Sequence, residues 1–120
     1  MKELHQNLMR DLKAIKMPVL FDLSLKPYSK TMYGNYRPKQ KKITLYVYQD
    51  INQTRIVPYE ELLLTLVHEA VHSIQWEDST FVRKRGVMHD AEFHRLNNKY
   101  ANRAKALLLL KEVKNSCLYF

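Results

Sequence analysis

The chain has 120 residues, 46% of them hydrophobic and 27% charged, which suits one globular domain over residues 1–120 and excludes wholesale disorder. A single cysteine, Cys117, excludes an intrachain disulfide and a multi-cysteine zinc ribbon, and points to a reducing, cytoplasmic setting. Twenty Lys and Arg against 12 Asp and Glu leave a formal charge of +8, which favours polyanionic partners, nucleic acid first among them.

Leu4, Leu8, Leu12 and Ile15 recur at helical spacing, so residues 2–16 are expected to form an amphipathic helix that Pro18 stops. Glu3, His5, Gln6, Asn7 and Asp11 stand where a signal peptide needs its apolar stretch, and His5 is expected to be solvated. Val19, Phe21, Leu23 and Leu25 then alternate as in a strand. Residues 30–37 read as a second strand with a bulge or bend at Gly34. Ile43, Leu45 and Val47 alternate with Thr44, Tyr46 and Tyr48, the clearest strand pattern in the chain. Short connections predict an antiparallel meander, with the strand at 43–48 as an edge open to an extended peptide.

From Pro58 the period becomes helical. Leu62, Leu63, Leu64, Leu66, Val67, Ala70, Val71 and Ile74 cover most of the circumference, which marks a buried helix. The apolar run at 62–67 is far short of the ~18 residues that suggest a membrane span, so no membrane association is expected. A charged connection at 77–88, with Arg83-Lys84-Arg85-Gly86, leads to a last helix at about 90–114. Its apolar stripe is Phe93, Leu96, Tyr100, Ala104 and Leu107. The expected fold class is α+β: an N-terminal helix, a small three-stranded antiparallel sheet, a buried helix and a C-terminal helix.

The buried helix carries His68-Glu69-Ala70-Val71-His72, an H-E-x-x-H pattern. A separation of four residues puts both imidazoles on one helix face, one turn apart, where they can share a Zn²⁺ ion. Glu69 can reach a water on that ion and take its proton. Two histidines and a glutamate inside an apolar helix are costly to bury without such a use. A catalytic zinc usually takes three protein ligands and keeps one open position. His89, Glu92 and His94 are the candidates for the third place. His89 is favoured because it stands at the entry to the last helix, facing the His68/His72 surface across the core. Asp90 and Glu92 are candidates to orient a ligating imidazole or simply to complement the helix dipole. Trp76, one turn beyond His72, is expected in the core.

A small sheet, H-E-x-x-H on a helix, a short insert and then H-x-x-x-F opening another helix together resemble the SprT-like zinc metallopeptidase domain. This is the catalytic domain type of the Spartan DNA–protein crosslink proteases. The matching residues are His68, Glu69, His72, His89 and Phe93. The resemblance spans about residues 5–110, with its specific part between His68 and Phe93. It implies a zincin-like fold, one zinc held by His68, His72 and His89, Glu69 as the catalytic base, and Phe93 in packing. Relatives often carry glycine after the third histidine, where this chain has Asp90, and many add a C-terminal zinc ribbon or DNA-binding segment that this sequence does not show.

The expected activity is therefore zinc-dependent hydrolysis of a protein or peptide substrate. Weak, sequence-independent DNA binding is expected through a basic surface comprising Arg95, Lys99, Arg103, Lys39, Lys41, Lys42 and residues 83–85. Two rivals follow from the same residues. One is a regulatory peptidase of the ImmA/IrrE kind that cuts a repressor. The other is a DNA-associated module with a structural zinc closed by His94 or Glu92 as fourth ligand.

Overall fold

A computed structural model describes residues 1–78 and 89–117, and side chains through residue 114. The elements in chain order are α1 (Lys2–Ala14), β1 (Asp22–Lys26), β2 (Gly34–Arg37), β3 (Lys42–Tyr46), α2 (Tyr59–Glu77) and α3 (Ala91–Cys117). The fold is α+β. The expected connection containing Arg83-Lys84-Arg85-Gly86 lies outside the described residues. No described helix is long and apolar enough to cross a membrane.

The sheet corrects the expected meander. Its order is β1-β3-β2, with β3 parallel to β1 and antiparallel to β2. The strand at 43–48 is therefore central rather than an edge. Ile43, Thr44, Leu45 and Val47 are all buried, so the most apolar strand takes the position with a neighbour on each side. Residues 27–33 carry the chain past a one-strand gap, and β3 returns to fill it. Hydrogen bonds from Val47 N to Lys26 O and from Tyr48 N to Pro27 O extend the parallel pair beyond the strands.

α1 and α2 pack on one face of this sheet, and α3 packs against both of them. Leu8 and Leu12 of α1, Leu62, Leu63, Leu66 and Val67 of α2, and Phe93, Tyr100 and Ala104 of α3 share one core with Leu23, Leu25, Ile43, Leu45 and Tyr36. α1 ends with Lys16 in the left-handed region (φ 59) and a hydrogen bond from Met17 N to Leu12 O, which closes the helix before Pro18. His5 is not simply solvated. It is half-buried, with Nε2 2.9 Å from Leu23 O, so the start of α1 lies against β1. Trp76 is not in the core but 45% exposed on α2.

A buried polar junction fastens the helices together. Asp11 of α1 is 2% exposed. Its carboxylate accepts from the Tyr59 hydroxyl of α2 and from Lys111 Nζ of α3, the latter at 2.7 and 2.8 Å. Burial and the Asp11 carboxylate push the Tyr59 phenol well above its ordinary pKa, so it stays a donor.

Candidate metal centre

α2 carries His68 and His72 one turn apart, and the residues just before α3 bring His89 to the same place. The three ring centroids form a near-equilateral triangle, with separations of 5.1 Å (His68–His72), 4.9 Å (His68–His89) and 5.1 Å (His72–His89). One ring nitrogen from each lies within 4.8 Å of the other two. Three imidazoles so placed are close enough to bind one metal ion. Burial, with His89 and His94 nearby, lowers the pKa of His68, which favours the neutral imidazole that a metal requires.

Phe93 backs the triad. It is fully buried, and its ring centroid lies 4.9, 4.5 and 4.6 Å from those of His68, His72 and His89. An aromatic ring behind three imidazoles limits their rotation and keeps water from one side.

The turn that presents His89 is held by its neighbour. Asp90 is the N-cap of α3: its Oδ1 accepts from Phe93 N at 2.8 Å. The same oxygen accepts from Gln75 Nε2 of α2 at 3.1 Å. These bonds, the Phe93 amide first, hold the Asp90 carboxyl below its usual range. Asp90 thus fixes the backbone beside His89 rather than orienting an imidazole directly. Sequence reasoning missed Gln75, although a glutamine one turn beyond His72 on an apolar helix is a signal of a buried polar contact.

Glu92 and His94 stay outside the triad. Glu92 is exposed and pairs with Arg95 through both carboxylate oxygens. His94 is exposed, its ring centroid 6.4 Å from that of His89.

Glu69 is half-buried on α2, and burial pushes its carboxyl up to about 7, partly offset by a hydrogen bond from the backbone of Tyr36 on β2. The sheet explains that donor. Tyr46 N bonds to Tyr33 O, and Asn35 and Arg37 follow at alternate positions facing β3. The Tyr36 N–H is thereby turned to the free edge of β2, toward α2. Gly34 lets this edge approach: a Cβ there would meet Leu45 Cδ2 at 2.9 Å, Thr44 O at 3.0 Å and Thr65 Cγ2 at 3.1 Å. Gly34 is needed for close packing on α2 rather than for a bulge. No side-chain pattern in the sequence identifies a backbone donor such as Tyr36.

The described members of the expected basic surface sit on different elements. Arg95 is engaged by Glu92, Arg103 donates to Ile15 O at 3.1 Å, and Lys99 lies 5.3 Å from the Tyr100 ring centroid. These residues sit on α3, which packs against α2 and α1, whereas Lys42 lies on the sheet. No protein-family model, curated protein or solved structure matches this chain.

Proposed function

We propose that the chain is a zinc-dependent metallopeptidase. The supporting observation is the convergence of three imidazoles beside one desolvated carboxylate: His68, His72 and His89 with Glu69. Three histidines are a ligand set that suits catalytic zinc and leaves a fourth position for water or substrate. When bound, zinc polarises the scissile carbonyl and acidifies the attacking water. Glu69 accepts the proton of that water and returns it to the leaving amine. Burial raises its pKa in the metal-free chain, which suits a proton acceptor, and the Tyr36 amide lies beside the carboxylate. An extended substrate lies along the free edge of β2, beside Glu69, by strand addition. The single cysteine fits a reducing, cytoplasmic setting.

Metal analysis and hydrolysis of an unstructured protein test this reading together. The full chain should take up one zinc, lose activity with a chelator and regain it with zinc. Glu69→Gln should keep the metal and lose hydrolysis, because an amide does not accept the proton at neutral pH. A chain that binds no zinc removes the reading, and a Glu69→Gln variant as fast as the parent moves the base elsewhere.

A further inference from the structure

The helices cover one face of the sheet, and the other face has its own chemistry. Strand register places its residues in rows. Lys26 pairs with Tyr46, and Tyr46 in turn bonds to Tyr33. Ser24, Thr44 and Asn35 form the next row, and Asp22, Lys42 and Arg37 the last. The alternate residues Leu23, Leu25, Ile43, Leu45 and Tyr36 belong to the core, so these rows face away from it. Thr44, at the centre, is buried; Tyr33 is 71% exposed, and Lys26 and Arg37 are exposed. Among the described residues, no carboxylate lies within ion-pair distance of Lys26, Arg37 or Lys42.

Two neighbouring tyrosines and three cations with no carboxylate in ion-pair distance among the described residues match the chemistry of an unpaired polynucleotide. Strand spacing makes the platform roughly 10 Å across and about 13 Å along the strands, room for about two or three nucleotides. We propose that this face binds single-stranded nucleic acid. Bases stack on Tyr46 and Tyr33, and phosphates are held by Lys26, Lys42 and Arg37. A duplex offers these rings no unstacked base, so single strands are preferred. The platform is built from residues that take no part in the metal centre, and it stands or falls separately from the peptidase reading.

Fluorescence anisotropy with labelled 12-mers of thymidylate and of uridylate, and with a duplex of equal length, tests it on the full chain. At least one single strand should bind more tightly than the duplex. Three phosphate contacts predict an affinity loss of about 20-fold between 50 and 200 mM salt. Tyr33→Ala should weaken binding by about 5- to 100-fold, and Tyr33→Phe should restore it, because phenylalanine keeps the stacking face. Tyr33 lies outside the strands and is exposed, so both variants should melt like the parent. Arg37→Glu should weaken binding further, whereas Arg95→Ala and Lys99→Ala on α3 should leave it unchanged. Three results would each overturn the proposal: no binding at 50 mM salt, equal affinity for duplex and single strand with no effect of Tyr33→Ala, or loss of binding on the α3 substitutions alone.

Discussion

Gln75 of α2 donates from Nε2 to Asp90 Oδ1 at 3.1 Å, joining the helix of His68 and His72 to the residue beside His89. The bond fixes the distance between the two parts of the triad without touching an imidazole. Gln75→Ala should therefore lower zinc affinity by about 10-fold at most, less than loss of a direct partner of a ligating imidazole, read by competition with a chromophoric chelator. Asp90→Asn retains an acceptor for both Gln75 and the Phe93 amide and should change affinity little. If Gln75→Ala binds zinc like the parent, the triad is positioned by Phe93 packing alone.

His89→Ala should lose zinc as severely as His72→Ala, since each leaves two protein ligands where three are needed. Glu92→Gln should leave zinc affinity within about twofold, because Glu92 is exposed and engaged by Arg95. The opposite ranking would make Glu92 the third ligand and exchange the His₃ set for a His₂Glu set.

Most of the metal centre is legible in the sequence because it depends on side chains at fixed spacing. H-E-x-x-H places two imidazoles on a helix by geometry alone, and the start of the next helix favours His89 as the third without closing out Glu92 and His94. The sheet order is less legible. Alternation at 43–48 identifies a strand, but pairing depends on where the seven residues at 27–33 carry the chain, and they have no periodic signal. Hydropathy marks His5 as polar without showing that Leu23 O is within reach. The donor to Glu69 is a main-chain N–H, which every residue but proline has, so no residue type reveals Tyr36.

Glu69 makes the metal-free protein sensitive to pH. Its folded pKa, about 7, lies above the ordinary 4.5. As pH rises through this interval the unfolded chain releases its proton first, so stability from this group is present below pH 4.5 and lost by about pH 7. Glu69→Gln removes the penalty. Thermal melts in chelator should show the variant gaining on the parent from pH 5 to 8, by on the order of 2 kcal/mol at the upper end. The difference between the two proteins cancels the histidine titrations they share. A gap that stays constant with pH would mean that Glu69 is solvated in the folded chain.

Gly34→Ala should cost about 1–3 kcal/mol, since the added methyl meets backbone Thr44 O as well as the Leu45 and Thr65 side chains. Hydrolysis should fall more than stability predicts, because moving β2 off α2 takes the Tyr36 amide from Glu69. Equal fractional losses in folded protein and activity would remove that amide from the catalytic arrangement.

Asp11→Ala should destabilise the chain by about 2–3 kcal/mol in chemical denaturation, as it strands the Tyr59 hydroxyl and Lys111 together. Asp11→Asn should cost less, because the amide oxygen still accepts from Tyr59. If both variants unfold with the parent's midpoint, the junction contributes nothing to stability.

That junction also orders events during synthesis. Asp11 is translated 100 residues before Lys111, the closer of the two cations beside its carboxylate. A chain emerging from the ribosome holds His68, His72 and His89 well before the last turns of α3 exist. Until those turns arrive, Asp11 favours water over burial, and α1 remains undocked. The first helix made thus gains this interhelical ion pair only when the last helix is nearly finished.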